Sequence, residues 1–371
     1  MRVLINASNL KKGGGVQVAL SLIEEFSSYS TFNFHLVVSD AVYKQLNIDS
    51  LKGNFSISRY NLYPTVIKAI FGYDSFLSNV EKEFKPDWVF TVFGPSYWVP
   101  MSKHLMGYAV PHYLYNDSPF FRIIPFKEKI SVFALKLLCF ISLSKSKNFY
   151  WVETEDVKLR LSKFLFINSS QIQVVSNTCH SVFNDEIPSI NAKYDIFFAN
   201  VSEKKLITVS ANYLHKNLNI INSVVPLLKQ LKVRIKFYLT LNKTEFDSFN
   251  FDTDYVVNLG PVDIIDCPYL YSRVDCLFLP TLLECFSASY VEAMKMNIPI
   301  LTSDLSFARG VCGDAAEYFD PLDAEDITNK IIDLLNNNER AQELTRNGNQ
   351  KLGQFLSSKE RAAKISTIFV D

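Results

Sequence analysis

Short apolar runs separated by stretches with helical spacing recur along the whole chain. In the first half, residues 2–6, 35–38, 55–58, 88–90, 105–110 and 149–152 read as strands. The series restarts at 205–210 and continues through 234–239, 255–257, 274–279 and 298–301. Strands alternating with helical stretches are the pattern of parallel sheets with crossover helices, and two series predict two sheets. A chain of 371 residues with 48% hydrophobic residues is too long for one ordinary domain and apolar enough for two cores. The predicted division is an N-terminal α/β domain over 1–185 and a C-terminal one over 186–355, with a polar, proline-bearing connection at 184–204. A last helix near 357–370 closes the chain, and no internal repeat or low-complexity tract interrupts the pattern.

The densest candidate chemistry follows the apolar run 274–279. Pro280 lacks an N–H and stops the strand, and the serine-led stretch from Ser287 starts a helix. The order strand, tight loop, helix places Glu284 at the strand's carboxyl end and Glu292 about two turns into the helix. Between them the first helical N–H groups, those of Phe286, Ser287, Ala288 and Ser289, point outward with the positive end of the helix dipole. An acid for sugar hydroxyls, a helix N-terminus for a diphosphate and a second acid for ribose hydroxyls suit a sugar nucleotide.

Two other segments carry candidate ligand contacts. The first strand opens into a loop, Lys11 to Gly15, with three consecutive glycines before a helical pattern. Glycine lets the backbone approach a ligand at the N-terminus of the next helix, and Gly14 and Gly15 are the candidates. The spacing is not G-x-G-x-x-G, so no dinucleotide fingerprint is read from it. After the strand 205–210, His215 and Lys216 follow at the same strand-end face as Glu284.

In the run around Glu284 and Glu292 the sequence resembles the retaining glycosyltransferases of family 4, which carry an E-x7-E signature in this strand-loop-helix context. The likeness extends to residues 258–262, 275–280, 297–304 and 311–321, the last matching the family's "GDAA…DP" segment. It implies the GT-B fold, two Rossmann-like domains whose parallel sheets face a cleft, with the C-terminal helix 356–371 packing back on the first domain. It implies a hexosyltransferase that takes a nucleotide-sugar donor, a UDP-sugar, and a saccharide acceptor that is lipid-linked, as in bacterial surface-polysaccharide assembly such as O-antigen. Lys216 matches the family's diphosphate-gripping lysine, Gly14 and Gly15 its N-terminal glycine loop, and His112 its cleft histidine beside the donor sugar. His215 stands where relatives carry arginine, so a permanent charge is replaced by one that titrates near neutrality. The family's E-G-F-G loop is Glu284-Cys285-Phe286-Ser287 here, and Ala211 replaces a common phosphate-binding arginine. These departures bear on sugar identity more than on reaction class. The competing readings are an epimerase or hydrolase on the same fold, or a non-catalytic glycan-binding scaffold.

Charge and cysteine content narrow the partners. Thirty-eight basic residues balance thirty-eight acidic ones, so no global field favours nucleic acid. Six cysteines form no C-x-x-C or regular framework, and the chain enters its first strand without a signal-like segment, which predicts a cytoplasmic protein. No Asp-x-Asp follows a strand and no histidine pair has ligand spacing, so neither metal nor cofactor is expected. Residues 121–150 are locally cationic, with Arg122, Lys127, Lys129, Lys136, Lys145 and Lys147 against Glu128 alone. Interleaved with Phe126, Phe133, Leu137 and Phe140, they fit peripheral contact with an anionic bilayer or, equally, a helix buried against the sheet. The longest apolar run there, 130–143, is too short to span a membrane.

Overall fold

A computed structural model describes residues 1–145, 149–199 and 202–370. Among the described residues there are thirteen strands: β1 Arg2–Ala7, β2 Asn33–Val38, β3 Phe55–Arg59, β4 Trp88–Gly94, β5 Lys103–Tyr108, β6 Phe149–Val152, β7 Ile172–Val174, β8 Lys204–Thr208, β9 Ile235–Leu239, β10 Val256–Asn258, β11 Cys276–Leu279, β12 Ile300–Ser303 and β13 Ala316–Phe319. They build a seven-stranded sheet ordered β3-β2-β1-β4-β5-β6-β7 and a six-stranded one ordered β10-β9-β8-β11-β12-β13. Neighbouring strands pair in parallel, as crossover helices require.

Both faces of each central strand are covered, which is why these runs are apolar throughout rather than alternating. In the first sheet Val3, Ile5 and Ala7 of β1 join one core with Phe90 and Val92 of β4, while Leu4 and Val89 join a second core on the opposite face. The C-terminal helix Ser358–Val370 contributes Ala362, Ile365 and Phe369 to the first of these. Buried Arg361 on that helix ties the chain's late return in place: its guanidinium donates to Asn177 Oδ1 and, at 2.9 Å, to Ser21 Oγ. Asn177 in turn donates to the Glu153 carboxylate at 2.7 Å, so the buried charge is paired through a satisfied amide.

The chain divides into two compact units, one of residues 1–116, 124–177 and 356–371, the other of 117–123 and 178–355. The junction lies eight residues before the expected 185, and the short segment 117–123 joins the second unit through a hydrogen bond from the Ser118 hydroxyl to the Leu282 carbonyl at 2.6 Å. The described part of 184–204 is not a bare connection. Tyr194 is fully buried with its hydroxyl donating to Asp266 at 3.2 Å, and Phe198 stacks on Tyr238. The six cysteines are free thiols.

The cationic stretch 121–150 is broken up by the fold. Arg122 belongs to the second unit, Lys136 donates to Asn116 Oδ1 at 2.6 Å and lies over the Phe164 ring, and Lys147 is outside the described residues. The helix Phe126–Ser144 is not a buried one: only Cys139, Ser142 and Leu143 are buried in it, and Phe126, Ile130, Phe133 and Leu137 are exposed. No helix among the described residues is long and apolar enough to cross a membrane.

Candidate functional site

In the second unit the strand order reverses between β8 and β11, which are neighbours although three strands apart in sequence. The carboxyl ends of such a pair form the crevice where open α/β sheets bind ligands. From β8 the chain runs into the single turn Leu214–Lys216, and from β11 into the loop that leads to the helix Ala288–Lys295. These two segments are bonded to each other: Leu282 N–H donates to the His215 carbonyl at 2.7 Å, and the Thr281 hydroxyl donates to the same oxygen at 3.2 Å. Asn217 ends the turn in the left-handed region, φ 55°, and its amide donates to the Pro321 carbonyl at 2.8 Å.

This registration brings two of the predicted residues into contact. The Lys216 ammonium is paired with the Glu284 carboxylate, which also accepts from the Thr281 hydroxyl at 3.3 Å. The two side chains are 14% and 13% exposed, so the pair is shielded yet reachable. Glu292 lies on the second turn of the helix and is buried, with the Tyr271 hydroxyl donating to its carboxylate at 2.9 Å. Burial pushes the Glu292 carboxyl up to about 7, opposed by the Tyr271 hydrogen bond and by the charge of Lys216. Burial, reinforced by the Glu292 charge, likewise raises the Tyr271 hydroxyl and the Cys267 and Cys179 thiols. Lys216, Glu284 and Glu292 therefore share one partly dehydrated locale.

The helix starts at Ala288, within the stretch 286–289. Ser287 is the N-cap in extended conformation, and its side chain accepts no capping hydrogen bond. An uncapped first turn leaves backbone N–H groups for a ligand's oxygens. Ser287 itself is buried, Ala288 and Ser289 are half-buried, and the Phe286 ring meets Phe355 edge-on at 6.1 Å. His215 contributes its backbone carbonyl to the loop-to-turn bonds and stacks its ring on Tyr213 at 5.4 Å.

The remaining predicted residues belong to the first unit. Gly14 and Gly15 begin the helix Gly14–Phe26, after β1 and beside the sheet's own order reversal between β1 and β4. The glycine whose backbone needs the absence of a side chain is Gly13, at φ 74°. A Cβ on Gly15 would meet Leu10 at 3.3 Å, whereas one on Gly14 would meet nothing within 4 Å. His112 sits half-buried in the single turn Pro111–Tyr113 after β5.

Tyr271 and Thr281 are the site residues that the sequence reading missed. Tyr271 lies in the buried helix Cys267–Ser272 before β11, in a run whose apolar spacing reads only as core. A polar groove of about 700 Å³ also lies on this unit, lined in part by Arg122, Asp304, Arg309, Glu317, Lys330 and Arg340. Most of its charges compensate one another, Arg309 with Asp304, and Lys330 and Arg340 with Glu317. Among the described residues no group of three or more His, Cys, Asp or Glu side chains is placed to hold a metal ion.

Residues 193–351 match the family model described as glycosyl transferases group 1, a span that includes Lys216, Glu284 and Glu292. A stretch of 97 residues is 31% identical to the O-antigen chain mannosyltransferase B of Escherichia coli, covering 26% of this chain and 26% of that protein. The match thus spans about a quarter of that relative's length. Among solved structures, WaaG, a glycosyltransferase involved in lipopolysaccharide biosynthesis, superposes with a TM-score of 0.74 over 100% of this chain and 99% of its own, at 11% identity. Anabaena HepE in complex with UDP and glucose superposes with a TM-score of 0.71 at 12% identity, covering 100% of this chain and 99% of that one. At such identities the likeness establishes the fold alone, GT-B, with a parallel sheet in each unit.

Proposed function

We propose that the protein is a retaining, metal-independent glycosyltransferase that moves a hexosyl group from a nucleotide sugar, a UDP-sugar, to a saccharide acceptor in surface-polysaccharide assembly. The observation that carries this reading is the cluster of Lys216, Glu284 and Glu292 at the order reversal of a sheet matching group 1 glycosyl transferases. The solved complex of HepE with UDP and glucose supports the choice of nucleotide, and the mannosyltransferase likeness supports a polysaccharide context.

Each group then has a chemical role. The departing nucleoside diphosphate needs positive charge that is already in place, and Lys216 with the uncapped N–H groups before Tyr290 supplies it without a metal ion. Glu284 accepts hydrogen bonds from donor-sugar hydroxyls once Lys216 turns to the phosphate. Glu292, ionised, accepts from the ribose diol and is steadied by Tyr271. In the first unit, His112 is assigned to the donor sugar and Gly14 and Gly15 to close approach of backbone to ligand. No carboxylate is assigned as a covalent nucleophile; retention follows from same-face displacement, in which the leaving phosphate takes the acceptor hydroxyl's proton. The acceptor saccharide is lipid-linked and met at the cytoplasmic membrane face, a reading supported by the exposed stripe Phe126, Ile130, Phe133 and Leu137 with Lys127 and Lys129 on either side.

A thermal-shift screen of UDP-, GDP- and dTDP-sugars tests the donor assignment. A ligand at about 100 times its Kd stabilises the folded state by about 2.7 kcal/mol, so UDP and one UDP-sugar are expected to raise Tm clearly above the other nucleotides. Absence of a shift with every nucleotide would remove the nucleotide-sugar reading; a shift with GDP alone would replace the base.

A further inference from the structure

One exposed apolar surface of the first unit involves a segment with no part in the site. Between β3 and β4 the helix Val66–Phe71 leaves Ile67 69% and Phe71 72% exposed, with Val66 and Ile70 exposed beside them and Tyr63 and Tyr73 on the flanks. A six-residue helix with two polar-tipped aromatics bracketing four bare aliphatic or aromatic side chains has no reason to face water. It packs against the helix Phe126–Ser144, whose own exposed residues Phe126, Ile130, Phe133 and Leu137 follow helical spacing along one stripe.

We propose that residues 63–73 and the helix Phe126–Ser144 form one continuous face that docks into the interfacial layer of an anionic bilayer, with Ile67 and Phe71 as the inserting wedge. This rests on the membrane reading of the helix given above and adds a second, separate element to it. Three observations select a bilayer as occupant. Charge is complementary: residues 60–73 contain no acid, and the nearest one, Asp74, is buried and held by Lys68 and Tyr60. Lys145 lies over the seam between the helices, with its Cδ 3.9 Å from where a Gly72 side chain would begin, and Lys127 and Lys129 flank the stripe. The Tyr63 ring is itself covered by Lys11 at 3.7 Å, an aromatic-cation pair of the kind that suits the headgroup level. A second copy of the chain on the same face would set these lysines against their equals.

Flotation with vesicles of phosphatidylcholine containing phosphatidylglycerol, and with phosphatidylcholine alone, tests the face. The wild type is expected to float with the anionic vesicles and to lose binding at high salt. Ile67→Ser with Phe71→Ser should lower the partition coefficient on the order of tenfold or more, comparable to Phe126→Ser with Phe133→Ser. Thermal stability should be unchanged in both, because the four side chains are exposed. Wild-type flotation of the Ile67/Phe71 variant, with loss only in the Phe126/Phe133 variant, would overturn the two-element face and leave the single-helix reading standing. Failure of the wild type to float would remove both. A dimer by light scattering that the Ile67/Phe71 variant dissociates would assign the face to a second copy and likewise overturn the proposal.

Discussion

Replacing Lys216 by alanine is expected to lower kcat/KM for sugar transfer by about 10²–10³-fold, the cost of removing one preorganised charge from a developing anion. Glu284→Ala should fall in the same range, because the other carboxylate of the locale, Glu292, is buried and held by the Tyr271 hydroxyl and cannot take its place. The fold also registers each single change. Lys216 and Glu284 are shielded partners, so deleting one leaves the other desolvated and unpaired at a cost of about 1–3 kcal/mol. The double variant Lys216→Ala with Glu284→Ala removes both charges and should recover part of that stability while recovering no activity. A double-mutant cycle measured by Tm and by kcat/KM separates the two effects. If activity returned in step with stability, the pair would be structural and its catalytic assignment would fail.

Glu292→Gln is expected to stabilise the protein above pH 7 while weakening nucleotide binding. The Glu292 carboxyl stands at about 7 in the fold against an ordinary 4.5, so the folded state holds its proton more tightly than the unfolded chain does. Stability from this group is therefore fully present below about 4.5, is lost as pH rises through about 7, and stays lost above it. Glutamine keeps an oxygen for the Tyr271 hydroxyl and carries no charge to desolvate. At pH 8 it should raise Tm by a few degrees, on the order of a few kcal/mol, and at pH 4.5 by almost nothing. The same change removes the anionic acceptor for the ribose diol, and UDP affinity by calorimetry should drop about tenfold or more. A Tm difference that did not vary with pH would show that Glu292 is not held against its charge. Undiminished UDP affinity would take Glu292 out of the donor site.

The sheets were legible because buried parallel strands are short, apolar and repeated, and eleven of them show directly as runs. β7 and β13 were not read as strands. Ile172–Val174 is three residues long at a sheet edge, and Ala316–Phe319 carries a glutamate whose charge is absorbed by Lys330 and Arg340 from the two helices that follow it. The acids and Lys216 were legible from strand-end position, since the switch-point geometry fixes where such side chains emerge. Their mutual pairing was not, because it depends on Leu282 and Thr281 bonding across to the His215 carbonyl. Tyr271 was invisible for a different reason: a tyrosine in a mostly buried helix is read as core, and only its hydroxyl's distance to Glu292 gives it a further role. The segment 117–123 belongs to the second unit through contacts more than a hundred and fifty residues away, which local pattern does not encode. At 121–150 the sequence counted charges correctly but not their directions, as Lys136 turned to Asn116 shows.

The most direct measurement is nucleotide release from the UDP-sugar selected by thermal shift, with and without a membrane-extracted glycan acceptor, in EDTA throughout. Acceptor-dependent UDP release, with a labelled sugar appearing in the glycan in its original anomeric configuration, is the predicted result. Release of UDP without acceptor, an altered sugar still attached to its nucleotide, or transfer that stops in EDTA and resumes with Mg²⁺ or Mn²⁺ would each contradict a metal-independent retaining glycosyltransferase.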